Sequence, residues 1–330
     1  MRPWQRVPPT SDAHPGQTSE GGAGLRSRAK LGILGVLVIV LAGVVVFQAT
    51  RRSPKVDLWK ASASIHSQLG EDGVIAAIFQ IIEPSRRFAV EFGCSDGITN
   101  SNVRHLIARE GWSGLLLDGD ERLVQIAKKN YADLPKATIA NEWVYPGNVE
   151  ILFEQYGVPK DVDMVVIDID SNDYYVWRAI TEFRPKVVLI EFNANFPPPQ
   201  RRVVRFHPMN YWDGSDYYGA SMQSLVDLGK KKGYELVFCN GLNLFFVDAQ
   251  YFPSFGIEDN SPTTLYRPPP YAGEAQLKWH QPRGGGGPNG YGHPSWDKFE
   301  VEVDGKKVKP YDKDLTWDAF KIPKKWVELP

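Results

Sequence analysis

Residues 88–120 read FAVEFGCSDGITNSNVRHLIAREGWSGLLLDGD, and this stretch decides the fold of the chain. An apolar run ends in Glu91, and a glycine-rich turn follows from Gly93 to Gly97. A helical segment comes next, and a second apolar run ends in Asp118. The order of strand, glycine turn, helix, strand and acid is typical of a nucleotide-binding βαβ unit.

Composition limits the functions that the chain can have. It has 330 residues, of which 42% are hydrophobic, and a net charge of −1, so a sizeable core is expected without the basic surface typical of nucleic-acid-binding domains. No nucleic-acid partner is therefore expected. Cys94 and Cys239 are the two cysteines, which excludes a disulfide framework and predicts buried free thiols.

The N-terminal part of the chain predicts a membrane anchor. Residues 1–30 are polar and rich in Gly, Pro and Ser, and we expect them to be disordered. Residues 31–47 carry no polar side chain, and with residues 48–50 they make a helix of about 20 residues, or roughly 30 Å, the thickness of a bilayer core. A cleaved signal peptide is the alternative, but the long leader and the lack of a clear cleavage site favour an uncleaved anchor. Basic residues flank both ends of the run, so its orientation is not predicted.

After a linker at residues 51–66, strands and helices alternate regularly over residues 67–250, which predicts a parallel sheet with right-handed crossovers. The predicted strands are 88–92, 114–117, 137–140, 164–167, 187–190, 234–239 and 244–248, and the predicted helices are 67–82, 102–110, 122–130, 149–156, 174–183 and 221–233. An Asn-Gly turn between the last two strands predicts an antiparallel hairpin. Residues 251–330 are rich in Pro, Gly and aromatics, and we expect either an irregular wrap on the domain or disorder.

Five αβ steps followed by a hairpin resemble the class I S-adenosylmethionine (SAM)-dependent methyltransferase superfamily. VEFGCSDG (residues 90–97) looks like its first motif, and LLLDGD (residues 115–120) looks like its second. SQLGEDG (residues 67–73) and IDIDSNDYYVWRAI (residues 167–180) resemble the FkbM-like branch. The resemblance covers residues 67–248 and implies a Rossmann-like α/β fold with a seven-stranded sheet and SAM as cofactor, and it leaves the substrate open.

The cofactor-binding residues are predicted at the ends of the first three strands. The candidates are Glu91, Gly93, Ser95, Asp96, Gly97, Asp118, Asp120, Asn141 and Glu142. Glycines allow close approach of the backbone, and an acid after the second strand can accept hydrogen bonds from both ribose hydroxyls. A dinucleotide cofactor is the alternative, but an acid before the glycines suits a cationic sulfonium better than a pyrophosphate.

The acceptor site is predicted after the fourth and fifth strands. Asp168, Asp170 and Glu191 fall at strand ends where ligands bind in such sheets, so we expect an oxygen-rich pocket. This pocket suits either general-base catalysis or a hard divalent cation such as Mg²⁺. Asp173 is expected to be the N-cap of the following helix. The helix at residues 67–82 is expected to bring Gln68, Glu71 and Asp72 toward the same strand ends, with a solvated cap as the alternative.

A long insertion at residues 200–221 is expected to cover the site. His207 is a candidate base, with a structural role as the alternative. Arg201, Arg202 and Arg205 are candidate ligands for an anionic substrate, or else surface residues. The aromatics Tyr211, Trp212, Tyr217 and Tyr218 are expected either to stack on the acceptor or to pack within the insertion.

The sequence thus predicts a single-pass, membrane-anchored SAM-dependent methyltransferase. The expected reaction is O-methylation of a glycan, a lipid or a small molecule. The alternative is a non-catalytic membrane-tethered scaffold, in which PPPY at residues 268–271 serves as a partner-recognition segment. The oligomeric state is not predicted.

Overall fold

A computed structural model describes residues 57–206, 212 and 217–269, together with the backbone of residues 301–303 and 306–308. The chain divides into two units, residues 1–52 and 53–330, and every described residue belongs to the second unit. Within the described residues, no helix has the length and apolar character needed to cross a bilayer. The predicted anchor at residues 31–50, the predicted disordered tail at residues 1–30 and His207 lie outside the described residues.

The second unit is built around a seven-stranded sheet flanked by helices. The strands lie in the order β3-β2-β1-β4-β5-β7-β6. The strands are β1 (Phe88–Phe92), β2 (Ser113–Asp118), β3 (Ala137–Asn141), β4 (Met164–Ile167), β5 (Val187–Glu191), β6 (Tyr234–Cys239) and β7 (Asn243–Asp248). The α-helices are α1 (Leu58–Ala61), α2 (Glu71–Ile81), α3 (Arg104–Glu110), α4 (Glu121–Asn130), α5 (Val149–Gln155), α6 (Asp173–Ala179), α7 (Met222–Lys232) and α8 (Pro262–Leu265).

The strand pairing confirms the predicted sheet. The first five strands are parallel to one another, whereas β7 is antiparallel to both β5 and β6. The β6–β7 turn is closed by Asn240, whose side-chain oxygen accepts hydrogen bonds from the backbone N–H groups of Leu242 (3.0 Å) and Asn243 (2.7 Å). This is the Rossmann-like layout of five parallel strands and a hairpin that the resemblance implies. A separate antiparallel pair joins β8 (Val301–Val303) to β9 (Lys306–Val308).

The core forms two layers, one on each face of the sheet. Successive residues of a strand point to opposite faces, so Val90 and Phe92 belong to one cluster and Ala89 to the other. The helices that follow the strands cover both faces. The central strand β4 is apolar without interruption, as expected for a parallel strand with both faces buried.

Helix α2 begins four residues later than the sequence predicts. The carboxylate of Asp72 accepts hydrogen bonds from the backbone N–H groups of Ile65, His66 and Ser67 at 2.8–2.9 Å, which folds the preceding residues into a turn. Gly70 ends this turn in the left-handed region with φ +83°, so helical geometry starts only at Glu71.

Asp163, just before β4, stabilises the edge of the sheet at which the parallel strands begin. Its completely buried carboxylate accepts hydrogen bonds from the backbone N–H groups of Ser85 (2.8 Å), Arg86 (2.8 Å) and Arg87 (2.6 Å). The ammonium group of Lys186 lies 3.2 Å from the same carboxylate. Asp163 therefore anchors the segment that leads into β1.

The chain beyond β7 remains packed on the domain as far as residue 269. A 3-10 helix, Phe252–Phe255, buries Phe255, and α8 follows it. The hydroxyl of Tyr266 donates a hydrogen bond to the carbonyl oxygen of Ala194 at 2.8 Å. This contact ties the end of the described segment to the residues that follow β5.

Candidate functional site

The glycine turn after β1 lies against the end of β4. Gly93 has φ +67°, and a Cβ added to it would lie 1.8 Å from the carbonyl oxygen of Asp168. Gly97 has φ +73° and faces the ring of Tyr131 in the same way, at 2.6 Å. Only glycine fits at these two positions, and the backbone at Gly93 is exposed and therefore accessible to a ligand.

Asp118 connects this turn to the end of β2. One carboxylate oxygen accepts a hydrogen bond from the backbone N–H of Ser95 at 2.8 Å, and the other accepts one from the backbone N–H of Asp120 at 2.8 Å. Each oxygen of a carboxylate has a second lone pair, so the half-buried group keeps capacity for two further donors. Vicinal hydroxyls of a ribose are donors of this kind.

Glu91 lies beneath the turn and braces the segment before α3. Its side chain is 3% exposed, and its two oxygens accept hydrogen bonds from the backbone N–H of Asn102 (2.6 Å) and the hydroxyl of Ser101 (2.7 Å). Burial raises the pKa of Glu91 to about 7, although both hydrogen bonds favour the charged form. The structure thus shows a positioning role for Glu91, and direct contact with a cofactor stays a prediction.

Asp96 and Asp120 both bind nearby backbone. The carboxylate of Asp96 accepts hydrogen bonds from the N–H groups of Ile98 (2.8 Å) and Thr99 (2.7 Å). Asp120 is the N-cap of α4 and forms an ion pair with Arg122 at 2.7 Å, which lowers its pKa to about 2. These contacts account for both carboxylates locally, and their roles in cofactor binding stay predictions.

The end of β3 adds an indole that the sequence analysis missed. The side-chain amide of Asn141 donates to the carbonyl oxygen of Asp118 (3.0 Å), and the carboxylate of Glu142 accepts a hydrogen bond from the hydroxyl of Tyr156 (2.7 Å). Next to them, Trp143 is 38% exposed and packs on Gly119. An exposed Trp directly after a strand end was the available signal, since an indole face is a surface on which a flat ring can stack.

Three acidic side chains meet at the ends of β4 and β5, as predicted. Asp168, Asp170 and Glu191 each place one carboxylate oxygen within 4.8 Å of the others. Asp170 adopts the left-handed region with φ +64°, which is uncommon outside glycine. Loss of water around the carboxyl groups, followed by repulsion between neighbouring carboxylates, raises the pKa of Asp168 and Glu191 well above the ordinary range. We call these three residues the acidic cluster.

The N-cap role predicted for Asp173 is wrong. Helix α6 begins at Asp173, and its N-cap is Asn172. The completely buried carboxylate of Asp173 accepts a hydrogen bond from the backbone N–H of Ile169 at 2.8 Å, and burial raises its pKa to about 7. The side chain therefore reaches back into the turn that carries Asp168 and Asp170.

Glu71, at the start of α2, reaches the same edge of the sheet. It is completely buried and accepts hydrogen bonds from the side-chain amides of Asn240 (2.9 Å) and Asn243 (2.6 Å). Asn243 lies opposite Glu191 in the β5–β7 pairing. Burial raises the pKa of Glu71 to about 7. The prediction that α2 brings Glu71 to the strand ends is confirmed.

The described parts of the insertion pack on the domain. Arg201 forms an ion pair with Asp227 of α7 at 2.6 Å. Tyr217 and Tyr218 are buried, and the hydroxyl of Tyr217 accepts a hydrogen bond from the backbone N–H of Arg205 at 3.2 Å. The burial of Tyr217 and Tyr218 favours the interpretation in which these two aromatics pack within the insertion, and Tyr211 lies outside the described residues.

No protein-family profile and no curated protein match the chain. Similar solved structures include the CurJ carbon methyltransferase (TM-score 0.38, 8% identity, 56% of this chain and 54% of that chain covered). A second is the glycopeptide N-methyltransferase MtfA complexed with SAM (TM-score 0.33, 13% identity, 62% of this chain and 96% of that chain covered). A third is the mitomycin 7-O-methyltransferase MmcR (TM-score 0.35, 15% identity, 55% of this chain and 54% of that chain covered). The chain thus spans about half the length of CurJ and MmcR. At these low scores the likenesses carry no argument about substrate or mechanism, and the fold assignment rests on the strand order.

Proposed function

We propose that this protein is a SAM-dependent methyltransferase that acts on a hydroxyl group of its acceptor. The observation that supports the proposal best is the juxtaposition at one edge of the sheet. The glycine turn at Gly93 touches the end of β4 at Asp168, and Asp118 binds the same turn through Ser95. A candidate cofactor site and a candidate acceptor site are therefore neighbours.

The residues around Asp118 suit SAM in shape and charge. Asp118 would hold the ribose hydroxyls, the open backbone at Gly93 would admit the methionine portion, and the exposed face of Trp143 would stack with the adenine. When bound, SAM supplies a methyl group already activated on a sulfonium, so the chain mainly has to position the acceptor. Glu91 supports this site by fixing the segment at Ser101 and Asn102.

The acidic cluster would act on the acceptor. Asp168 and Glu191 are half-buried, and their carboxylates form no hydrogen bond with the described residues, so they are free to accept one from an acceptor hydroxyl. In the proposed reaction one of these carboxylates takes the hydroxyl proton as the acceptor oxygen becomes methylated. The backbone N–H of Asn193, two residues after Glu191, donates to the carbonyl oxygen of Ala220 at 2.8 Å, so the described end of the insertion lies near this position and would limit access by water.

We further propose that residues 31–50 anchor the enzyme in a membrane. The support is the length of the uninterrupted apolar run, which matches a bilayer core. An anchored enzyme would act on acceptors at or near the membrane surface, namely a glycan, a lipid or a small molecule. Fractionation of cells that express the full chain, with alkaline extraction of the membranes, tests the anchor. Release of the protein by alkaline extraction would contradict it.

Transfer of label from methyl-labelled SAM tests the enzymatic proposal. The full-length protein, purified in mild detergent, is incubated with separated membrane lipids, glycans and small-molecule extracts, and products are analysed by mass spectrometry. We expect label in one fraction and none with Asp118→Ala. SAM binding without transfer to any fraction would favour the non-catalytic scaffold instead.

A further inference from the structure

We propose that the acidic cluster binds one divalent cation, with Asp168, Asp170 and Glu191 as its protein ligands. The cation class is one that prefers oxygen, such as Mg²⁺, Mn²⁺ or Ca²⁺. The inference deepens the proposed function at the same cluster: with the cation bound, Asp168 and Glu191 would hold the ion rather than take the hydroxyl proton themselves, and binding of the cation itself needs neither SAM nor an acceptor.

The spacing of the ligand atoms suits a single ion. The three carboxylate oxygens lie within 4.8 Å of one another. Oxygens on opposite sides of a Mg²⁺ ion are about 4.2 Å apart, and those around Ca²⁺ about 4.8 Å, from bond lengths of roughly 2.1 and 2.4 Å. Small side-chain movements would therefore bring all three oxygens within bonding distance of either ion. Asp170 has a left-handed backbone, and one of its carboxylate oxygens lies within 4.8 Å of one from Asp168.

The charges of the cluster have no counter-ion among the described side chains. The ion pairs of the described residues do not include Asp168, Asp170 or Glu191. One oxygen of Glu191 is buried without a hydrogen-bond partner. Three carboxylates at this spacing repel one another strongly, and a divalent ion would offset most of that repulsion.

The carboxylate of Asp173 gives independent support for the cation site. Asp173 is completely buried, and its Oδ1 accepts the hydrogen bond from Ile169, the residue between Asp168 and Asp170. Its Oδ2 is also buried and has no partner. A buried carboxylate oxygen without a donor is costly, and one placed inside this turn suits a water molecule bound to the cation.

Glu71 adds a further buried carboxyl group beside the acidic cluster, on the side of Asn243. Its Oε1 binds the amides of Asn240 and Asn243, whereas its Oε2 is buried without a partner. Since Asn243 lies opposite Glu191, Glu71 is a positioning residue behind that ligand. Three protein ligands leave further coordination positions open, and these would take water or oxygen atoms of the acceptor.

Binding of Mn²⁺ alone tests the proposal. The full-length chain, freed of metal by chelation, is titrated with Mn²⁺, and free Mn²⁺ is followed by electron paramagnetic resonance. We expect one ion per chain, displaced by excess Mg²⁺ or Ca²⁺, and a rise in Tm on binding. Glu191→Gln and Asp170→Asn should weaken binding by at least about tenfold. The control Asp133→Asn, at an exposed position elsewhere, should bind like the unchanged protein.

Several outcomes would overturn the proposal. One is no bound Mn²⁺ at millimolar concentration, which would mean that protonation, rather than a cation, removes the repulsion between the three carboxylates. Another is unchanged binding by Asp170→Asn, which alters an exposed side chain and should fold normally. Calorimetry of SAM binding by the metal-free protein separates this proposal from the proposed function. SAM binding without Mn²⁺ binding would be consistent with the proposed methyltransferase and would contradict the proposed cation site.

Discussion

Gly93 lies directly against the carbonyl oxygen of Asp168, where a Cβ would approach to within 1.8 Å. The first residues after β1 and β4 are therefore packed backbone to backbone at the edge of the sheet that carries the site. This contact places the glycine turn beside the acidic cluster. It also makes position 93 the most sensitive point of the turn.

Gly93→Ala should destabilise the protein and weaken SAM binding together. The left-handed backbone costs an alanine about 1–2 kcal/mol, and the clash with a backbone atom adds about 1–3 kcal/mol. Gly157→Ala is a matched control, because Gly157 has the same φ of +67° but nothing within 4 Å of its added Cβ. Urea denaturation should show the larger loss for Gly93→Ala. Equal losses would mean that the contact with Asp168 does not constrain the turn.

Glu91→Gln should make the protein more stable at pH 8 and leave it nearly unchanged at pH 4. The pKa of Glu91 is raised from 4.5 to about 7 by burial, so the folded protein keeps a proton that the unfolded chain releases. The stability that this retained proton gives the folded protein is fully present below pH 4.5. It is lost as the pH rises through about 7, and the total loss is about 3 kcal/mol. Glutamine stays neutral, and it can still accept from Asn102 and donate to Ser101.

The measurement is the free energy of unfolding of both proteins at several pH values. Val226→Ala serves as a control for general destabilisation, since it removes buried apolar volume and no titratable group. Its difference from the unchanged protein should be independent of pH. A Glu91→Gln difference that is equally flat would show that Glu91 is not buried as a neutral acid.

Asp163→Ala should cost about 3–5 kcal/mol of stability, because it breaks a buried ion pair with Lys186 and leaves three backbone N–H groups without an acceptor. The neighbouring Asp161→Ala removes an exposed pair with Arg86 and should cost less than about 1 kcal/mol. Thermal unfolding of the two variants provides the comparison. Similar losses would contradict the anchoring role of Asp163.

Much of the fold was predictable because its signals are local. The apolar strands, the glycine turn at Gly93 and the Asn-Gly hairpin are all contained in short stretches, and the structure confirms them. Their positions at strand ends also predicted that Asp168, Asp170 and Glu191 lie together, because the carboxyl ends of parallel strands meet at one edge of the sheet.

Contacts across long separations were not predictable. Glu71 binds Asn243, 172 residues away, and no local pattern indicates such a pair. Asp173 looked like an N-cap because it precedes an apolar helical segment, whereas its carboxylate turns back to Ile169. The start of α2 was misplaced because the turn that Asp72 closes has the composition of a first helical turn. Each difference arises from side-chain hydrogen bonds that the order of residues alone does not specify.

SAM binding by the full-length protein and its Asp118→Ala variant tests the central claim most directly. Isothermal titration calorimetry should give saturable binding with one site per chain, and Asp118→Ala should abolish it by removing the acceptor for the ribose hydroxyls. Asp133→Ala, at an exposed position away from the glycine turn, should retain binding. Absence of SAM binding by the unchanged, folded protein at high micromolar SAM would contradict the account.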